Sequence, residues 1–265
     1  MSTAAPVKVD TDRPEIPLGR LVKVELRKMF NTRSGFWLMM SIAIVSTIAT
    51  VAVVLVQTLN DNADITYGIY GAAIGTPMGV LLPVITILLV TSEWSQRTGL
   101  ITFTLVPHRG QVIGAKAIAA VIVGVVSIIV AMAIGALGNV IGSSIAGQDM
   151  VWDLSATDLL LLVLGNVLGL LIGFMLGVLI RNSAAAIVGY FVYSLVLPGI
   201  LGALAAFVGW FADIQEWIDF NLASSQLFDP PLTGEQWAQI GTSGLIWFVI
   251  PLAIGVRAVL RSEVK

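Results

Sequence analysis

Six long apolar stretches divide this chain, at roughly residues 36–56, 74–92, 112–138, 159–180, 184–211 and 240–260, and the polar positions gather in the connections between them. Each stretch approaches or exceeds the ~20 residues a helix needs to cross a ~30 Å hydrocarbon layer. Lipid offers no partners for backbone N–H and C=O groups, so spanning runs of this length are read as helices. The pattern predicts an all-α integral membrane protein with six transmembrane helices, forming a single transmembrane domain over residues 18–265. Residues 1–17 are polar, carry Pro6, Pro14 and Pro17, and are expected to form a disordered cytoplasmic arm.

Ahead of the first span the periodicity changes. Leu18, Leu21, Val22, Leu26, Met29 and Phe30 recur at three- and four-residue spacing, while Arg20, Lys23, Arg27, Lys28 and Asn31 fill the other side. This predicts an amphipathic elbow helix over 18–34 with a cationic face, suited to lying along a membrane surface. Gly35 offers a bend into the first span. A plain topological anchor would show the same pattern.

Charge turns six spans into a topology. All fourteen Lys and Arg residues lie in the N-terminal arm, the second and fourth connections and the C-terminal tail. The first, third and fifth connections hold none, but carry ten of the sixteen acidic residues, among them Asp153, Asp158, Asp213, Glu216 and Asp219. Basic residues flanking membrane helices stay on the cytoplasmic side, so both termini are expected inside. The basic face suits anionic lipid headgroups or acidic partner surfaces. No nucleic-acid-binding motif accompanies it, so nucleic acid is not an expected partner.

Composition agrees, with 57% hydrophobic residues, 11% charged residues and a mean hydropathy of +0.94. These values exclude an ordinary soluble domain. The absence of Cys excludes disulfides and thiol chemistry. A cleaved signal peptide is not expected, because the first apolar run is too long for a signal core.

Candidate chemistry within the spans is sparse. Apart from Glu93, Lys116, Arg181 and Arg257 at the margins, the apolar cores hold no ionisable Asp, Glu, Lys, Arg or His. Proton-coupled carriers usually place such groups at mid-membrane, which argues against that class. The one histidine, His108, lies in a connection, so neither a metal site nor a catalytic site is expected. No G-x-x-x-x-G-K-[ST] loop occurs, so the chain is not expected to hydrolyse ATP itself.

Small and cyclic residues mark helix contacts. Gly165, Gly169, Gly173 and Gly177 form a stripe at four-residue spacing, which predicts close packing by another helix. Pro77 and Pro83 interrupt the second span, and Pro198 the fifth. The fifth connection, 212–239, places Trp217 and Phe220 opposite Asp213, Glu216 and Asp219, as a short helix half-sunk at the outer interface would.

The connection between the second and third spans, 93–109, is longer than a turn requires and keeps several apolar side chains. It resembles the cytoplasmic loop in membrane subunits of ATP-binding-cassette exporters of the ABC-two (multidrug/antibiotic) type, through Glu93, Thr98-Gly99, Leu105, Pro107, Arg109 and Lys116. The Glu25-Leu26-Arg27-Lys28 stretch leading to Arg33 and the tail from Pro251 are similar to actinobacterial members, although Thr-Gly stands where the family has Gly-Thr. The resemblance implies that Glu93, Ser95, Gln96, Arg97, Thr98, Gly99, Leu100, Leu105, Pro107 and Arg109 form an ATPase-coupling segment. It implies that Glu25, Arg27, Lys28 and Arg33 belong to the elbow, with Glu93 paired to one of those cations. Thr76, Met78, Tyr190, Tyr193 and Ser194 become candidate pathway residues, for which ordinary packing is the alternative.

The expectation is therefore a multi-pass permease subunit of a bacterial inner (plasma) membrane exporter for hydrophobic or amphipathic compounds. Its pore would form at a permease homodimer or heterodimer. The chain would bind no cofactor itself, ATP and Mg residing on two copies of a separate ABC-type ATPase subunit. A stand-alone secondary carrier or channel, or a non-transporting immunity or scaffold membrane protein, are the alternatives.

Overall fold

Backbone satisfaction and apolar burial together set the architecture. The computed structural model describes residues 16–60, 63–95 and 109–261; of Ser34, Glu93, Ser95 and Arg109 it describes the backbone only. Among these residues every regular element is helical. They are α1 (Leu18–Asn31), α2 (Arg33–Leu59), α3 (Tyr67–Ser95), α4 (Arg109–Ala146), α5 (Ala156–Ile180), α6 (Ser183–Phe207), α7 (Gly209–Ile218), α8 (Phe220–Ser225) and α9 (Gly234–Arg261), with a short 3₁₀ turn at Gln226–Phe228. Six of them, α2 to α6 and α9, are long and apolar enough to cross a membrane.

Their packing sorts the molecule into two ends. Lys116 near the start of α4 touches Glu25 of α1, Thr91 near the end of α3 touches Ser183 at the start of α6, and Gly255 of α9 lies against Leu179 of α5. At the opposite end, Gln57 of α2 meets Tyr70 of α3 and Ser143 of α4. Consecutive spans thus run up and down, and both ends of the described chain emerge on the α1 side.

Span boundaries differ from the hydropathy reading in instructive ways. The first helix stops at Asn31 rather than 34, and the chain turns at Thr32, which is extended and caps the next helix by accepting from the Gly35 amide (3.1 Å). Arg33 therefore opens α2 and is not part of α1. Gly35 serves close approach rather than the bend, since a Cβ there would meet the Met29 carbonyl oxygen at 1.9 Å. The fifth span ends at Phe207, not 211, because Val208 turns extended before α7. α4 continues to Ala146, eight residues past the expected 138, since Asn139 and Ser143 are polar yet buried.

Two of the spans contain a wide turn. Residues Val192–Val196 of α6 and Leu245–Val249 of α9 are π-helical, closed by Leu197 N–H to Val192 C=O and Ile250 N–H to Leu245 C=O. Each closing residue is followed directly by proline, Pro198 or Pro251. A proline ring crowds the carbonyl four residues back, and a widened turn is one way to relieve it. The connection expected as one half-sunk helix is two, α7 and α8, broken at Asp219. That residue is buried rather than on the wet face, and its carboxylate accepts from the Asn221 and Leu222 amides at 3.0 and 3.2 Å.

Candidate functional site

The α1 end is built around one carboxylate. Glu25 falls in the stripe Leu21, Val22, Glu25, Leu26 and Met29, which is the face that α1 turns inward, while Leu18 and Phe30 remain exposed. Its two oxygens accept from Lys116 (2.6 Å) and Lys28 (2.7 Å). Burial pushes the Glu25 carboxyl up; the charge and hydrogen bond of Lys116, joined by those of Lys28, outweigh that and hold it below the ordinary value. Glu25 and Lys116 are 4% and 3% exposed, so neither charge is left to water. A buried pair of this kind costs desolvation when made but is expensive to break from one side. It fastens α1 to the first two turns of α4, the helix that follows the 93–109 connection.

Much of that connection lies outside the described residues: Gln96, Arg97, Thr98, Gly99, Leu100, Leu105 and Pro107. The backbones of Glu93 and Ser95 close α3 and that of Arg109 opens α4. The Glu93 side chain, and so its expected partner among Arg27, Lys28 and Arg33, is likewise outside them. Arg27 and Arg33 are exposed. The pairing that is present, Glu25 with Lys116, went unread because Lys116 was taken as a charge at a span margin and Glu25 only as a member of the elbow. Its signal was a carboxylate at a stripe position of an amphipathic helix.

The opposite end holds a cavity of about 640 Å³, within the ~300–1,000 Å³ range of small-molecule sites. One wall is the glycine face of α3, Gly68, Gly71, Gly75 and Gly79. Facing it are Asp158, Asn166 and Gly169 of α5, Tyr190 and Tyr193 of α6, and Phe220, Asn221 and Phe228 beyond them. From Gly68 to Gly79 the wall is about 17 Å deep at 1.5 Å per residue. The α3 glycines at spacings of three and four were a sequence signal passed over in favour of the α5 stripe.

That α5 stripe divides by role. Gly173 lies against the Pro83 backbone, where a Cβ would come within 2.6 Å, and Gly177 against Val90 and Ile87. Gly165 abuts the Phe228 ring, and Gly169 has open space before it on the cavity side. Gly173 and Gly177 thus lie against α3, Gly165 against the 3₁₀ turn, and Gly169 against open space.

The expected pathway residues divide as well. Thr76, Tyr190 and Tyr193 line the cavity. Met78 does not: it is 1% exposed and packs in the core between α2, α3 and α4. Ser194 sits beside the Tyr190 hydroxyl and outside the wall. Pro83 has no N–H for the Gly79 carbonyl four residues before it, and Tyr190 donates its hydroxyl there instead. The same logic acts at Tyr193, whose carbonyl is passed over by the π turn and by Pro198 and accepts from Asn221 Nδ2 at 3.2 Å. The Tyr193 ring packs at a tilt against Trp247, centroids 5.6 Å apart, and Trp247 Nε1 donates to Ile218 C=O at 2.7 Å. The α7–α8 pair is thus tied to both wide turns. The Tyr193 hydroxyl is buried without a hydrogen-bond partner among the described residues.

No group of three or more His, Cys, Asp or Glu able to hold a metal occurs among the described residues. Comparison with protein-family models returns no match, and neither does comparison with curated proteins.

Proposed function

We propose that this chain is the membrane-spanning permease subunit of an ATP-driven exporter of the ABC-two type, for hydrophobic or amphipathic compounds. In this reading the α1 end faces the bacterial cytoplasm, because every Lys and Arg belongs to connections on that side. α1 is the elbow, and the 93–109 connection is the segment that docks on a separate ATPase. ATP and Mg reside on two such ATPase chains, and two permease chains enclose the route between them.

The observation that carries the reading is the buried Glu25–Lys116 pair. A helix that only anchored the chain in the interface would have its charges in water. Here α1 is clamped to the root of α4, beside the ends of the 93–109 connection, so a push delivered to that connection reaches α1 and α4 together. The cavity at the far end of α3, α5 and α6 gives such a movement a space to change.

The test is co-purification in mild detergent with an ATPase encoded beside this chain, followed by ATP turnover in lipid. A stable complex whose turnover falls on substituting residues 95–106 supports the reading. A chain that purifies alone and leaves the ATPase rate unchanged overturns it, and directs the search to ion-coupled flux.

A further inference from the structure

We propose that the cavity binds a drug-sized hydrophobic monocation, its apolar body against the α3 glycine wall and its charge beside Asp158. The inference deepens the exporter reading and rests on it only for the direction of movement.

Charge complementarity selects the ligand class. The wall contains no Lys, Arg or His, and its one carboxylate is Asp158, half-buried in the first turn of α5. Asp158 Oδ2 accepts from the Ser155 amide at 2.8 Å, and no described cation pairs with the carboxylate. Walls of low dielectric focus the field of a single charge into the space they enclose. An anion would meet that field as repulsion, and a cation as attraction.

Size and chemistry narrow it further. A small inorganic cation needs several oxygen ligands held at short range, whereas about 640 Å³ with one carboxylate offers none of that enclosure. A bulky organic cation is weakly hydrated, fills the space, and finds aromatic faces at Tyr190, Phe220 and Phe228.

The experiment is equilibrium binding to the purified full chain in lipid nanodiscs, with empty nanodiscs as blank. The probes are tetraphenylphosphonium and tetraphenylborate, alike in shape and opposite in charge. Saturable phosphonium binding is expected, with borate bound far more weakly. Asp158→Asn keeps an acceptor for the Ser155 amide and should weaken phosphonium binding about two- to fivefold, the scale of one partly exposed charge contact. Gly75→Leu should abolish it with the thermal unfolding midpoint unchanged, since a Cβ at Gly75 meets nothing within 4 Å. Equal binding of the two probes, or phosphonium binding indifferent to both substitutions, would overturn the proposal. If Asp158→Asn fails to fold, Gly75→Leu decides alone. The assay contains no ATPase, so a chain that binds the cation but recruits no ATPase sinks the exporter reading and leaves this one standing.

Discussion

The two ends of the bundle answer one constraint in opposite ways. Both must place polar groups where little water reaches. The α1 end does it with full charges, Glu25 between Lys28 and Lys116, packed so that neither Glu25 nor Lys116 sees solvent. The cavity end does it without an ion pair among the described residues, and with space: the Asp219 carboxylate accepts from backbone amides, and carbonyls stranded by Pro83 and Pro198 are met by the Tyr190 hydroxyl and the Asn221 amide. The difference teaches where each end can yield. An ion pair in low dielectric is stiff, because half of it cannot move without the other. A glycine wall with neutral hydrogen bonds gives way at a cost of about 1 kcal/mol per bond.

The largest break in that comparison is Lys116→Ala. It leaves Glu25 buried without its main partner and should destabilise the chain by about 3–5 kcal/mol, read as lost thermal stability and yield in detergent. The double substitution Glu25→Gln with Lys116→Met should recover most of that stability while leaving any ATPase coupling impaired. Full recovery of coupling would show that the pair is only structural.

Next come the glycines of α5. Gly173→Leu drives a side chain into the Pro83 backbone and should cost about 1–3 kcal/mol by overpacking. Gly169→Leu, four residues short of the same contact and open in front, should unfold at the wild-type temperature. Equal losses at the two positions would mean that the cavity closes in the membrane.

Tyr190→Phe is smaller. It strands the Gly79 carbonyl and should cost about 1 kcal/mol. Pro83→Ala restores the missing N–H, so Tyr190→Phe should cost measurably less in that background; a double-mutant cycle on thermal unfolding reads the coupling.

The finest test is acid. The Glu25 carboxyl is held below its ordinary value of 4.5 in the folded chain. Its stabilisation is therefore complete above that ordinary value and is lost as pH falls through the lowered one. Unfolding midpoints followed from neutral pH into that range should fall for the wild type and flatten for the Glu25→Gln, Lys116→Met chain.

How far the sequence could be read follows the same division. Six spans were legible because an apolar run of some twenty residues has one economical fate in lipid. The end of α4 was not, since Asn139 and Ser143 lower the hydropathy while sitting inside the bundle, Ser143 on Gln57 and Asn139 donating to the Val151 carbonyl. Thr76, Tyr190 and Tyr193, named by resemblance, line one cavity, whereas Met78, one turn from Gly75, faces the core. Helix rotation decides such cases, and a span apolar all round carries no stripe from which to read rotation. Glu25 is the converse: α1 is amphipathic and its stripe is plain, so a carboxylate falling within it was a legible signal that went unread.

The wide turns at Val192–Val196 and Leu245–Val249 carry a consequence for anyone laying this chain beside another. Each holds one residue more than a regular turn, so every position after it is rotated by about 100° from where a uniform helical wheel would put it. A related chain that lacks the extra residue would align without a gap in hydropathy and still present a different side of α6 or α9 to its neighbours. Residue-by-residue comparison along these two spans is sound only up to Val192 and Leu245; past them it must be counted again from Pro198 and Pro251.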